Sequence, residues 1–169
     1  MKAKPLPSLL SALLLVGCSA TADPALRVLS VGDGDTLTLA SPTGQKVKVR
    51  LACVDAPESS QRPAGPAARA SLQQLLPVGS AVTLQVKDTD RYGRTVAEVF
   101  DGARNINQAL VGDGMAFVYW DYIAGCDRNR YAALEANARS QRLGVWGPQL
   151  GYDLMLPWDY RACRRSRTC

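Results

Sequence analysis

The strongest constraint on the fold is a period of two. Between residues 46 and 51, Val47, Val49 and Leu51 alternate with Lys46, Lys48 and Arg50. Successive side chains of a strand point to opposite faces, so this stretch predicts a strand with one buried and one wet face. Leu37 and Leu39 between Thr36 and Thr38, and Val82, Leu84 and Val86 further on, carry the same signature. Leu26 and Val28, then Leu29 and Val31, predict a strand whose phase slips once. Residues 96–100 predict a fifth. Asp33-Gly34, Ser41-Pro42-Thr43-Gly44 and Tyr92-Gly93 punctuate these runs as turns.

Helical spacing interrupts the strands once and follows them twice. Gly65-Pro66 opens a helix with proline in its first turn, Ala67, Ala68, Ser71, Leu72, Leu75 and Leu76 carry its periodicity, and Pro77 and Gly79 end it. Residues 105–112 predict a short helix with Ile106, Ala109 and Leu110 inward. Tyr131, Leu134, Glu135, Ala138 and Leu143 predict a third that ends at Gly144. The class is α+β: a five-stranded OB-type β-barrel with three helices. Barrels of this kind bind oligonucleotides on one face. The chain has 169 residues, of which 47% are hydrophobic and 21% charged, enough for one packed core.

Around that domain, expected over residues 25–148, lie two flanks. Residues 1–17 combine Lys2 and Lys4 with an apolar run of Leu9, Leu10, Leu13, Leu14 and Leu15, the pattern of an export signal. The run ends Leu15-Val16-Gly17-Cys18, which resembles a bacterial lipobox. That resemblance implies a lipid on Cys18, a tether over 18–24 and a protein held on the outer face of a membrane. Cleavage and free secretion is the alternative. Residues 149–169 form a basic, cysteine-containing tail with Arg161, Arg164, Arg165 and Arg167. Such a run predicts a solvated tail rather than a hold on anionic partners. With Cys18 lipidated, Cys53, Cys126, Cys163 and Cys169 remain in an oxidising compartment. Three pairings are open. Cys53 sits in an apolar run and reads as a buried free thiol, and the favoured bond joins Cys126 to Cys163 or Cys169.

The chain contains no histidine. This excludes a Ser-His-Asp triad, a Cys-His dyad and imidazole metal ligands. Any metal site is then expected to use oxygen ligands. Three clusters supply the chemistry that remains. Asp33-Gly34-Asp35-Thr36 is an acidic turn. Arg50-Leu51-Ala52-Cys53-Val54-Asp55-Ala56-Pro57-Glu58 places an arginine on an apolar strand and two carboxylates around a proline that restricts its neighbours. Asp90-Arg91-Tyr92-Gly93-Arg94 is a turn with two guanidinium groups and an aromatic ring. Carboxylates can hold a hard cation or activate water, and paired arginines can clamp a phosphate. The formal net charge of +5 suits a polyanionic partner.

Together these segments resemble the staphylococcal-type thermonucleases, the micrococcal nuclease-like family. The resemblance runs over residues 26–147 and continues through Gly65-Pro66, Asn105, Asn107, Leu110, Gly114, Ala116, Glu135, Ala138, Leu143-Gly144 and Trp146. It implies a calcium-dependent, sugar-nonspecific nuclease, monomeric, acting on single-stranded DNA and RNA and on duplex DNA, and leaving 3′-phosphate ends. By position it implies that Asp35 and Asp55 hold calcium, with the Ala56 carbonyl as a further ligand. Arg50 and Arg94 match phosphate-binding catalytic arginines, and Glu58 matches the general base. Arg91 and Tyr92 match residues beside the terminal phosphate, and Trp120 and Tyr122 fall near base-contacting aromatics. Ala56 replaces a threonine common in the family, and the loop from Glu58 to Gly65 is short. The alternatives are a non-catalytic OB-type nucleic-acid binder and a structural envelope lipoprotein.

Overall fold

A computed structural model describes residues 26–167. The export signal, the tether, Cys18 and Cys169 lie outside the described residues. Five long strands run β1 (Leu26–Val31), β2 (Thr36–Ala40), β3 (Lys46–Leu51), β5 (Ala81–Thr89) and β6 (Thr95–Asp101). Three two-residue strands are β4 (Val54–Asp55), β7 (Arg104–Asn105) and β8 (Phe117–Val118). The helices are α1 (Ala64–Leu75), α2 (Ile106–Gly112), α3 (Arg128–Ser140) and α4 (Pro157–Ser166). The OB-type barrel stands as expected, and α4 is a fourth helix beyond the three that the sequence pattern predicts.

The sheet order is β3-β2-β1-β5-β6-β7, and β3 also pairs with β6. That last pairing is parallel, with Val49 opposite Thr95, Arg50 opposite Val96 and Leu51 opposite Ala97, and it closes the barrel. The predicted phase slip in β1 is a bulge between Val28 and Ser30. Leu37, Leu39, Val49, Val82, Ala97 and Val99 are buried, and in β2 and β3 their alternating neighbours are more exposed. Helix α1 lays Ala68, Leu72 and Leu76 on this core, all buried.

One buried side chain fastens the closure. Asn107 on α2 accepts the Val99 N–H at 3.0 Å and donates to the carbonyls of Ala52 at 2.9 Å and Ala97 at 3.2 Å. It ties the residue after β3 to β6 and satisfies three backbone groups at once. A second fastener is the Cys53–Cys126 disulfide, which spans 73 residues. Cys126 therefore does not pair with Cys163 or Cys169, and Cys53 is not a free thiol. The apolar run that carries Cys53 bends sharply after β3, with Cys53 at φ 65°, and this turns its sulfur toward the segment before α3. The Tyr119 N–H holds the Cys53 carbonyl at 2.9 Å in the same bend. Cys163 is disulfide-bonded as well.

The C-terminal segment is not a solvated tail. Ala64, Phe117 and Val145 form a second small core, packed by Trp146, Leu150, Leu154, Leu156 and Trp158. Proline at the first position of α4 starts the helix where its missing N–H costs nothing. Trp158 then stacks on Tyr119 with centroids 5.3 Å apart and planes within 4°. Its edge meets Phe117 at 6.2 Å. Aromatic pairs of this kind contribute about 0.5–1.5 kcal/mol each beyond their buried area.

Replacing Asn107 with leucine takes the side-chain partner from the Val99 N–H and the Ala52 carbonyl, while the Ala97 carbonyl keeps the Ala52 N–H, and should lower the unfolding free energy by about 2–3 kcal/mol, measured by urea denaturation. Replacing Cys53 and Cys126 together with serine should cost about 4 kcal/mol by the chain-entropy estimate for so long a loop. Retention of native stability in either variant would contradict this account of the closure.

Candidate active site

The closure decides where the chemistry lies. Arg50 is the next-to-last residue of β3, and Arg94 immediately precedes β6. Because β3 and β6 run parallel in register from Val49 and Thr95, the two arginines emerge at the same end of the barrel. Asp35 precedes Thr36, which pairs with Arg50 across the β2–β3 hairpin, so Asp35 meets the same guanidinium. Arg50 Nη1 lies 2.7 Å from Asp35 Oδ2 and donates to the carbonyls of Leu51 and Val54 at 3.2 and 3.1 Å. Its Nη2 donates to Asp55 Oδ1 at 2.8 Å. Arg50 thus bridges two carboxylates, one of them fully buried.

Close packing holds the acidic turn against the second acidic segment. A Cβ on Gly34 would stand 2.6 Å from the Ala56 Cβ and 2.7 Å from the Ala68 Cβ, so no side chain fits there. The need for glycine in Asp33-Gly34-Asp35 comes from this approach as much as from the turn. It lets the Ala56 N–H donate to Asp35 Oδ2 at 2.8 Å. Burial pushes the Asp35 carboxyl above the ordinary carboxylate range; Arg50 opposes the shift, and the charges of Asp33 and Asp55 add to it. At Asp33, hydrogen bonds with Asp35 and Thr36 outweigh burial and hold the carboxyl below its usual range.

The remaining predicted residues gather round a cleft of about 560 Å³. Its walls include Asp35, Arg50, Glu58, Arg91, Tyr92, Arg94 and Tyr122. Arg94 is oriented by Asp90, which accepts from its Nε at 2.7 Å and from its backbone N–H at 3.0 Å. Arg91 and Arg94 both lie over the Tyr92 ring, at 5.1 and 5.7 Å. Asp55 and Ala56 are buried behind the wall, and Asp55 is joined to it through Arg50.

Trp120 is not brought to the cleft. Its Nε1 donates to Glu135 Oε2 at 3.3 Å, its ring packs on the barrel core, and Arg128 covers it at 5.2 Å. Residues 120–122 form a 3₁₀ turn, whose three-residue period puts Tyr119 and Tyr122 on one face and turns Trp120 away. Tyr119 therefore lines the cleft with Tyr122, their rings 4.6 Å apart.

A family model described as staphylococcal nuclease homologue matches residues 48–148. The chain belongs to the staphylococcal nuclease homologue family. It is similar to a micrococcal nuclease of Shigella flexneri, 35% identical over 164 residues that cover 92% of this chain and 90% of that protein. It is also similar to an uncharacterized endonuclease of Haemophilus influenzae, 37% identical over 143 residues that cover 82% of this chain and 77% of that one. Protein ParB of Escherichia coli is 35% identical over 165 residues, 92% of this chain and 89% of its own. Asp35 and α4 both stand outside the stretch that the family model matches.

Alongside Tyr119, sequence reasoning missed Trp158, Arg161 and Arg165, which complete the cleft wall. Arg161 Nη2 donates to Asp55 Oδ2 at 2.7 Å, and its Nη1 donates to Asp55 Oδ1 at 3.0 Å and Glu58 Oε1 at 2.8 Å. The signal was present: Pro157 begins a helix, and Trp158, Arg161 and Arg165 follow at the i, i+3, i+7 spacing of one helical face.

Removing the Arg50 guanidinium would leave Asp35 and Asp55 buried without the cation that they share. Arg50→Ala should lower the unfolding free energy by about 3 kcal/mol, the range found when one partner of a buried pair is deleted. A thermal melt unchanged from the native protein would show that the two carboxylates do not depend on this bridge.

Proposed function

We propose that this chain is a calcium-dependent, sugar-nonspecific nuclease that hydrolyses DNA and RNA and leaves 3′-phosphate ends. Nuclease activity follows from membership of the staphylococcal nuclease family, whose relatives here include a micrococcal nuclease and an endonuclease. The observation that carries the finer reading is the meeting of buried carboxylates with arginines from separate elements in one cleft.

The donor set fits a hard cation in kind. With no histidine in the chain, the nearby ligands are the oxygens of Asp35, Asp55 and the Ala56 carbonyl, which suit calcium. Among the described residues no group of three or more His, Cys, Asp or Glu is poised to hold a metal, so water and the phosphate would complete a six- to eight-fold oxygen shell. A bound calcium would polarise a phosphoryl oxygen and offset the negative charge that gathers there.

The chain's own groups account for the rest. Arg50 and Arg94 bind the non-bridging oxygens of the phosphate and stabilise the charge that builds in the transition state. Glu58 accepts a proton from the attacking water as the water oxygen bonds to phosphorus. The bond from phosphorus to the 5′ oxygen breaks, and that oxygen leaves as a hydroxyl after taking up a proton. Arg91 and Tyr92 flank the phosphate, and Tyr119 and Tyr122 offer faces on which any base can stack, which suits sequence-independent cleavage. Export, with a lipid on Cys18, belongs to the same proposal and is supported by residues 1–18 of the sequence. The substrate would then be nucleic acid outside the cell.

Purified protein incubated with single-stranded DNA or RNA and calcium should cleave both, and chelator should stop it. Chelator-resistant cleavage would remove the metal from the reading. Glu58→Gln should lower the rate by about 10²–10⁴-fold, the usual contribution of a general base. A non-catalytic nucleic-acid binder would be indifferent to that change.

A further inference from the structure

Glu58 lies in a loop between β4 and α1 with no strand or helix of its own. Residues of the C-terminal segment do much to hold the loop in place. The Glu58 N–H donates to Gln61 Oε1 at 2.9 Å, and Gln61 Nε2 donates to the Met155 carbonyl at 2.7 Å. Tyr160 Oη donates to Ser60 Oγ at 2.9 Å. Arg161 Nη1 donates to the Glu58 carboxylate itself at 2.8 Å. At the far end of the loop, a Cβ on Gly65 would overlap the Glu58 carbonyl oxygen, so the loop is folded tightly onto the start of α1.

The same Arg161 guanidinium reaches Asp55, which β4 fixes in the ladder with β8 and which is fully buried. Arginine's planar fork sets the angle between the groups that it joins. One end of this fork is therefore anchored to a buried carboxylate in a strand and the other to a partly exposed one in a loop. The helix behind it is anchored in turn by Trp158, which stacks on Tyr119. Without the bridge, Glu58 and Asp55 repel, and Glu58, already about one-third exposed, has solvent to turn toward.

We propose that Arg161 is a positioning residue for hydrolysis: it fixes the Glu58 carboxylate relative to Asp55, and this makes α4 a working part of the nuclease site. The inference rests on Glu58 as the water-activating group. Arg161 touches neither water nor phosphate in this role; it acts through Glu58.

The test is a double-mutant cycle in the full chain. Arg161→Ala should lower kcat on a single-stranded oligonucleotide by about 10²-fold, the scale of an ångström's misplacement, with KM changed less than about threefold. Arg161→Lys should restore only part of the rate, because a single ammonium cannot reproduce the fork. The decisive comparison is Glu58→Gln against Glu58→Gln with Arg161→Ala. If Arg161 acts through Glu58, the second change costs almost nothing more, and losses that multiply overturn the inference. Calorimetric titration of the metal-free protein with calcium gives a readout independent of turnover. Arg161→Ala should bind calcium no more weakly than the native chain, since a guanidinium supplies none of the oxygen ligands that calcium takes. A loss of affinity matching the loss of kcat overturns the inference.

Thermal melts accompany each variant, and Arg161→Gln takes the place of Arg161→Ala in the cycle if the alanine protein does not fold. Arg167→Ala removes an exposed charge at the end of the same helix and should leave kcat within about twofold, as expected for an exposed site away from such features. A native rate in Arg161→Ala beside a slow Glu58→Gln sinks this inference alone. A native rate in Glu58→Gln sinks the water-activating role as well.

Discussion

The parallel pairing of β3 with β6 is the contact on which the rest depends. Antiparallel neighbours β1, β2 and β3 follow from short hairpins, and so do β5 and β6. The parallel seam joins strands that lie far apart in the chain, so no turn enforces it. It is fastened from outside the sheet by Asn107, whose amide satisfies groups on both strands at once. Without that seam Arg50 and Arg94 would not share an end of the barrel, and the turn that carries Arg91 and Arg94 would not reach the cleft.

The carboxylates beside the cleft show the cost of collecting like charges in a buried place. Asp35 and Asp55 are out of water, and each must find a partner or lose its charge. Arg50 serves both, and Arg161 returns to Asp55 from the far end of the chain. Even so, burial keeps Asp35 hard to ionise. A site with oxygen donors and too little positive charge at its centre suits a divalent cation, which fits the calcium that the family resemblance implies.

Much of the site was legible because its parts are local. Arg50 on an alternating strand, the Asp-Ala-Pro-Glu run and the Asp-Arg-Tyr-Gly-Arg turn each carry their chemistry in a few adjacent residues. Errors arose where side-chain direction or distant partners decided the outcome. Trp120 and Tyr119 are neighbours, and only the 3₁₀ geometry of residues 120–122 selects which of them faces the cleft. Cys53 was misread because its apolar run looks like a strand interior, whereas the chain turns through a left-handed conformation there and delivers the sulfur to Cys126.

By itself, the sequence determined the long strands of the barrel, the absence of imidazole from any site and the arginines and carboxylates that carry the family resemblance. These depend on period, turn chemistry and residue type, all of which are written over short stretches. The tertiary structure alone decided the closing seam, the Cys53–Cys126 bond and the return of α4 to the cleft with Arg161. Each joins segments tens of residues apart, and which such segments meet is settled by packing of the whole core and by pairing of buried charges, which no short window of sequence contains.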